Sequence, residues 1–390
     1  MSAFGNILGI RALVQFGSGT VLLPATLDVM EAIEELEVRV SAESGAHFRL
    51  VLAAGRSGPL GLFGPPFIDD TRFQSGGRFG VSLIFGVKPI PIIHGVIVKS
   101  QYLPPDDTHD GKVVLLGTDL AGIMNREHVQ TPWPAMGPNF IATAILAKYI
   151  TDGIIPKVMP PQIFEQPNPL ETTPVQNCSD LAFLRRLARD SGHHAVLQPG
   201  PAPGTSTFYW GPLPIIGLPQ KTLSVDLGPM SDAFDVTITH NGHQITTAGA
   251  KAIDRQTGET ITVDVPGLAS TPQGAVPEWQ TRKGQTRQER LAVSGMTGMQ
   301  AQAIAMARLQ ATAERAVQAR GTINNVKYND ALKPFQQVNL RGVGNMFGGL
   351  YTVSEVRHRM RPGDYSQTFS LQRGELYSLA PVVPPETQVA

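Results

Sequence analysis

Residues 176–210, QNCSDLAFLRRLARDSGHHAVLQPGPAPGTSTFYW, read as a helix followed by two short strands. Ser179 is placed to cap the helix, and Asp180 puts a negative charge in its first turn, where the dipole favours it. Leu181, Leu184, Leu187 and Ala188 fall on one face, with Arg185, Arg186, Arg189 and Asp190 on the wet side. Gly192 is positioned to end the helix in the left-handed conformation. His194-Ala195-Val196-Leu197 then predicts a strand, Pro199 to Ser206 a turn, and Thr207-Phe208-Tyr209-Trp210 its return. A capped amphipathic helix packed on a hairpin is the centre of a small α/β module.

The composition around this module is that of a folded chain. It has 390 residues, enough for two to four cores, of which 42% are hydrophobic and only 16% charged. Forty glycines and 32 prolines favour many short strands over long helices. The 32 basic and 32 acidic residues cancel, so no overall field draws the chain to nucleic acid or anionic lipid. Cys178 is the only cysteine; it can form no internal disulfide and reads as a small buried residue. The N-terminus shows no signal-peptide pattern, and the most apolar window, Val81 to Val98, is broken by Lys88, Pro89, Pro91 and His94. Synthesis and folding in the cytoplasm are expected.

Upstream of the module, Met1 to Thr26 has no clear period and is expected to be an arm or edge segment. Leu36, Val38 and Val40 alternate inward over Glu34 to Val40, and Phe48, Leu50 and Leu52 alternate back after a turn at Ser41 to Gly45. Phe79, Val81, Leu83 and Phe85 predict a third strand, Ile92 to Lys99 a fourth and Lys112 to Leu116 a fifth, in the pattern of a small antiparallel barrel or sandwich. Asn139 to Ile150 has helical spacing, and Pro156 to Pro174 is a connection.

Downstream, Ala233 to His240 and Gln244 to Thr247 flank Asn241-Gly242, a strong hairpin signal. Glu259 to Val265 predicts a strand and Pro266 to Glu289 a loop. Gly298 to Arg320 predicts an Ala-rich helix with Met299, Ala303, Met306, Leu309, Ala313 and Ala316 inward and Gly321 as its stop. Strands are expected at Gln337 to Leu340, Leu350 to Met360 and Tyr365 to Gln372, the last two joined by Pro362-Gly363-Asp364. A faint likeness between the runs near Val114 and near Ile245 hints at duplication.

The residue types that carry chemistry do not converge in the sequence. His240 and His243 bracket a turn without a third ligand. Asp106, Asp107, His109 and Asp110 form the most cation-like cluster, yet Pro104-Pro105 and Gly111 around them suit a polar turn. His193-His194 opens a strand and splits across its faces, and His358, with Val356 and Met360 on its face, reads as a core or edge residue. Gly342-Val343-Gly344 with Gly348-Gly349 has the wrong spacing for a dinucleotide loop. A cell-wall hydrolase, the alternative functional class, has no supporting constellation, and no cofactor or metal is expected.

The stretch NCSDLAFLRRLARDSGHHAVLQ…FYWGPL resembles the central domain of the phage tail and baseplate hub family, which includes the late-control protein D proteins, the T4-type hub and the hub half of type VI secretion spikes. LKPFQQVNLRGVGNMFGGLYTVSEVRHRMRPGDYSQTFSLQRGEL is similar to that family's closing motif through Tyr351, Val353, Val356, His358, Gly363, Tyr365, Phe369, Leu371 and Arg373. GVIVKSQYL…KVVLLGTDLAGIMNRE is similar to its first barrel.

The resemblance implies a mainly β chain with α+β elements: an arm (1–22), a first tube-like antiparallel barrel (23–125), an α/β module (126–215), a second tube-like barrel with an inserted helix (216–376, helix 298–320) and a tail (377–390). It implies a non-enzymatic homotrimer at the tip of a contractile phage tail or injection particle, adapting the sixfold tail tube to a threefold spike. The implied partners are its own copies, a trimeric spike protein, the tail tube protein or tube initiator, and baseplate wedge or sheath-proximal proteins, with no membrane and no sequence-specific nucleic acid. Because the chain stops at Ala390, the spike and any lysozyme are expected on other proteins. One apolar loop, 55–73, places Leu60, Leu62, Phe63, Phe67 and Ile68 among glycines and prolines that prevent a regular element. They are expected either to plug the first barrel or to be buried by a neighbouring subunit or ring.

Overall fold

Period-two alternation of apolar residues builds the first unit, and the computed structural model places its strands in chain order as β1 (Ile10–Ser18), β2 (Val21–Pro24), β3 (Ile33–Ser41), β4 (Gly45–Ala53), β5 (Arg78–Phe85), β6 (Lys88–Leu103) and β7 (Lys112–Asp119), with the short helix α1 (Leu27–Ala32) before β3. Residues 1–9, 55–66, 87, 107–109, 164, 170–172, 214–217, 243–246, 254–259, 266–272, 278–279, 281–286, 293–296 and 380–390 lie outside the described part of the structure. The strands run β3-β4-β7-β6-β5-β1-β2, all neighbours antiparallel. Leu36, Val38, Val40, Phe48, Leu50, Leu52, Phe79, Val81 and Leu83 are buried together, as their alternation requires. Phe48 and Phe79 stack with ring centroids 4.0 Å apart. Of the two alternatives for the N-terminal segment, arm or edge, the structure has the edge, with β2 ending the strand path. Residues 10–17 pair fully with β5 and bury Ala12, Val14 and Phe16, while Leu13 on the opposite face hides the period from the sequence.

The second unit follows the sequence closely. It contains β8 (Val129–Pro132), α2 (Pro138–Ala147), β9 (Ile154–Val158), β10 (Val175–Cys178), α3 (Asp180–Asp190), β11 (His194–Pro199) and β12 (Ser206–Gly211). The Ser179 hydroxyl accepts from the Ala182 N–H at 3.4 Å, and Leu181, Leu184 and Ala188 are buried. Gly192 takes φ +67°, the left-handed stop that side chains resist. β11 and β12 form the expected hairpin, and β12 also pairs in parallel with β9. Trp210, fully buried, donates its Nε1–H to the Leu184 carbonyl at 3.1 Å, locking helix to hairpin.

The third unit holds β13 (Gln220–Ser224), β14 (Ala233–His240), β15 (Thr247–Ile253), β16 (Thr260–Val265), β17 (Val276–Pro277), β18 (Gln288–Ala292), α4 (Gly298–Ala313), β19 (Val317–Ile323), α5 (Asn325–Tyr328), β20 (Gln337–Arg341), α6 (Gly344–Phe347), β21 (Gly349–Arg361), β22 (Asp364–Arg373) and β23 (Glu375–Leu376). The hairpin expected at Asn241-Gly242 falls largely outside the described residues, since 243–246 carry most of its return strand; β14 pairs with β19, and β15, from Thr247 on, belongs to a separate sheet with β16 and β18. Two expectations about the Ala-rich helix are corrected here, its end and its inner stripe. The Ala-rich helix ends at Ala313, and Val317–Ile323 is a strand burying Val317, Ala319 and Ile323. Its inner stripe is Ala301, Ala305 and Leu309, while Met299 is exposed, because the helix packs on β15 and β16 rather than on the final strands. Gly321 is therefore a mid-strand residue, and a Cβ there would sit 2.8 Å from both Phe369 and Val236. Among the closing strands, β20, β21 and β22 stand where the sequence puts them, with a one-turn helix, α6, between β20 and β21.

The first and third units share one 13-stranded sheet, whose main path is β14-β19-β22-β21-β3-β4-β7-β6-β5-β1-β2. It contains the same order twice. The series β3-β4-β7-β6, with β5 on β6, matches β14-β19-β22-β21, with β20 on β21, strand for strand in chain order. Even the irregularities correspond. β6 shifts register against β7 between Ile97 and Lys99, and β21 shifts against β22 between Val353 and Glu355. The duplication hinted at near Val114 is thus real in topology but differently aligned: β7, which carries Val114, matches β22, while Ile245 lies outside the described residues. The chain is mainly β with α+β elements, and among the described residues the strand path is open at β14 and β2 rather than closed into a ring.

Candidate functional site

The joint between the two repeats combines a strand ladder, a buried inner face and a network of outer ion pairs. β3 and β21 pair antiparallel from Glu355↔Ser41 to Met360↔Leu36. On the inner face Leu36, Val38, Val40, Val356, His358 and Met360 are buried. On the outer face alternating charges interlock. Arg39 Nε meets Glu355 at 2.7 Å, Arg357 meets Glu37 at 2.7 Å, and Glu35 takes Arg359 at 2.5 Å, Arg49 at 3.2 Å and Arg361 at 3.3 Å. Burial alone would raise the Glu35 carboxyl, but the Arg359 hydrogen bond and the charges of Arg359, Arg361 and Arg49 hold it below the usual value. The charge pattern E35-x-E37-x-R39 against E355-x-R357-x-R359-x-R361 is legible in the sequence at period two, a signal the strand-by-strand reading passed over.

Beneath that joint, His358 stacks parallel to Tyr365 and shares a 2.9 Å hydrogen bond between its Nδ1 and the Tyr365 hydroxyl. Burial pushes its pKa down to about 3 and keeps the imidazole neutral, so it is a core residue. A second joint ties the β3–β4 turn to the α/β unit. The buried Asp119 carboxylate accepts from the N–H of Ala46 at 2.8 Å and of Ala121 at 3.1 Å, and Arg185 donates to the Ser44 carbonyl at 3.2 Å. Burial lifts Asp119 above its ordinary pKa against these contacts.

The remaining sequence candidates do not assemble. His194 Nε2 lies 3.3 Å from the buried Glu314, in a cleft of about 720 Å³ lined by Arg185, Arg189, His193 and Arg308, whose described lining contains no Cys, Ser or Lys. His193 lies edge-on to Trp210 at 4.6 Å, and burial first, then His194, lowers it to about 4. Asp106 and Asp110 are exposed, while Asp107 and His109 lie outside the described residues, as does His243. Among the described residues no group of three His, Cys, Asp or Glu could hold a metal ion, and no helix is long and apolar enough to cross a membrane. Of the apolar loop, Leu60, Leu62 and Phe63 lie outside the described residues. Phe67 is half-buried, edge-on to Phe73 at 5.9 Å, and Ile68 is 40% exposed.

No family model and no curated protein matches the sequence. Solved structures do. A tail protein from Neisseria meningitidis aligns with TM-score 0.62 at 14% identity, over 93% of this chain and 96% of its own. The 43 kDa tail protein of prophage MuSo2 from Shewanella oneidensis gives 0.61 at 12%, over 93% and 98%. An Escherichia coli component of the type VI secretion system, described as structurally similar to T4 bacteriophage tail proteins, gives 0.53 at 12%, over 90% and 77%. At these identities the likeness is one of fold, and it extends over nearly the whole length: the chain has the fold of phage tail proteins and of their type VI secretion counterparts.

Proposed function

We propose that the protein is a structural hub at the tip of a contractile phage tail or related injection particle, where three copies form a ring joining a sixfold tail tube to a threefold spike. The observation that carries this reading is the repeat: one chain holds the same five-strand order twice, fused through β21 and β3. Three such chains present six equivalent units to a sixfold partner while remaining threefold for a spike, which is the economical way to reconcile the two symmetries. The joint suits the role, since the β21–β3 ladder, its buried inner face and its outer ion pairs hold the two units in one sheet. The resemblance and the shared fold support partners of the same kind: the tail tube protein or its initiator, a trimeric spike, and baseplate wedge or sheath-proximal proteins. The role asks nothing catalytic of the chain, and the loop carrying Leu60, Leu62, Phe63, Phe67 and Ile68 is assigned to contacts between subunits or rings. Light scattering at micromolar concentration, alone and with the cognate spike, tests the reading. A trimer is expected in at least the mixture, and a strict monomer under both conditions overturns it.

A further inference from the structure

Two adjoining cavities run along the seam where the repeat joint, the α/β unit and the inserted helix meet. The larger, of about 720 Å³, lies between the end of α3, the start of β11 and the last turns of α4. The smaller, of about 320 Å³, opens on the sheet where β21 breaks register at Ser354. They share Ala42, Glu43, Arg315 and Gln318, so together they form one groove. Its walls are fixed by close contacts. Gly192, at φ +67°, lies so near α4 that a Cβ there would meet Gln310 at 3.2 Å and Ala307 at 3.4 Å. The buried Glu314, 3.3 Å from His194 Nε2, ties the end of α4 to β11. The Ala42 N–H donates to the Ser354 carbonyl at 2.9 Å and joins the β3–β4 turn to the irregularity in β21.

Arginines reach this groove from every wall: Arg39 from β3, Arg185 and Arg189 from α3, Arg308 from α4, Arg315 just past it and Arg320 from β19. Half of them are balanced. Arg39 pairs with Glu355 and Arg315 with Glu43, each at 2.7 Å, and Arg185 shares the field of the buried Asp119. Arg189, Arg308 and Arg320 are exposed, and among the described residues none of them has an ion pair. Arg189 and Arg308 act on Asp190 only from farther off, and of the lining carboxylates Glu289 alone is likewise unpaired. The last turn of α3 favours a cation at Arg189, but Arg308 lies inside α4 and Arg320 inside β19, where no helix end calls for one. The lining is also short of hydrogen-bond partners. Arg185 Nε and His193 Nδ1 have none among the described residues, although His193 is only 9% exposed. Buried polar atoms in native proteins nearly always have one.

We propose that this groove binds an extended acidic peptide segment of a partner protein. Carboxylates of the segment meet Arg189, Arg308 and Arg320, and its backbone amides meet the Ser41, Ser44, Gln318 and Gln372 side chains of the smaller cavity. The lining decides the class of ligand. Glu43, Glu289 and Glu355 interrupt the arginines, and a nucleic acid, charged at every nucleotide, would set phosphates against them. A peptide can space its carboxylates to avoid them. A basic segment would instead meet the three unpaired guanidinium groups, and like charges brought together at an interface are costly. The groove touches the first repeat at Arg39 and Ser41, the second at Arg320 and Ser354, and the α/β unit at Arg189, so one bound segment straddles all three. The inference goes beyond the hub reading and holds for any number of copies.

The test is fluorescence anisotropy on the full chain with a fluorescein-labelled (Glu-Ser)4 peptide, compared with (Lys-Ser)4 and a thymidylate octamer carrying the same label. The acidic peptide is expected to bind best of the three, and to bind less as salt rises from about 50 to about 500 mM. Arg189→Gln, Arg308→Gln and Arg320→Gln together should weaken it about fivefold or more. Arg49→Gln with Arg361→Gln, on the same sheet but outside the groove, should leave it unchanged. Each variant is first shown to melt with the wild type. Tighter binding of the octamer, lost with the same three arginines, overturns the proposal in favour of a nucleic acid. Acidic-peptide binding that survives the triple change, or no binding at millimolar peptide, overturns the site itself. Neither result touches the hub reading, which light scattering tests separately.

Discussion

His358 makes the joint between the repeats sensitive to acid, and the size of the effect follows from its surroundings. The imidazole is 1% exposed, between β3 and β22, with the Tyr365 hydroxyl 2.9 Å from its Nδ1. Burial takes its pKa from the ordinary 6.5 to about 3, whereas in the unfolded chain it titrates normally. The unfolded state therefore binds the proton first, so stability is complete above about pH 6.5 and is lost as pH falls toward the folded value. Each pH unit within that window costs about 1.4 kcal/mol, so roughly two units, from 6.5 to 4.5, remove about 2.7 kcal/mol. The perturbation is His358→Gln, which keeps a polar group near Tyr365 and removes the titration. Urea unfolding of the subunit at about pH 7, 5.5 and 4.5 reads the difference. The variant is expected to be less stable near neutrality, through imperfect packing, yet to lose about 2–3 kcal/mol less than the wild type on acidification. Parallel stability-versus-pH curves for the two proteins would falsify the buried neutral imidazole. His193, held at about 4, adds a term of the same sign to both proteins and cancels in the comparison.

Three further outcomes are expected. Gly321→Val, whose Cβ would press on Phe369 and Val236 at 2.8 Å, should lower subunit stability by about 1–3 kcal/mol, and an unchanged melting curve would contradict the β14–β19–β22 packing. Glu35→Gln removes the shared partner of three partly exposed arginines; it should cost only about 0.5–1 kcal/mol at low salt and less at molar salt, and a salt-independent loss would refute an electrostatic origin. The double change Leu60→Ser and Phe63→Ser, which leaves Phe67 on Phe73, should leave subunit melting nearly unchanged while blocking assembly on the tail tube or with its own copies. Burying each such side chain is worth about 1.5–3 kcal/mol, so a large drop in subunit stability with assembly intact would make the loop core instead.

The sequence was most legible where one period ran uninterrupted. Ser179, the Leu181/Leu184/Ala188 face, Gly192 and the returning aromatic strand were read in place, because cap, stripe and stop are local signals. The β3–β4 hairpin and the closing β20–β22 strands were equally clear from alternation. What failed was non-local. Leu13 masked β1, whose identity depends on its pairing with β5. Val317–Ile323 continues an Ala-rich run smoothly enough to pass for helix, and only pairing with β14 and β22 makes it a strand. The duplication, too, is a property of pairing order rather than of residues: the two repeats share an irregularity at Val98 and Ser354, yet almost no side chains in common.

The central claim is that two repeats per chain become six in the assembled ring, and cryo-electron microscopy of the purified hub, or of the particle tip, tests it most directly. The account predicts top views of a threefold particle with a central channel, surrounded by six similar units. A ring of any other copy number, or three chains whose repeats do not form a ring of six, would contradict it.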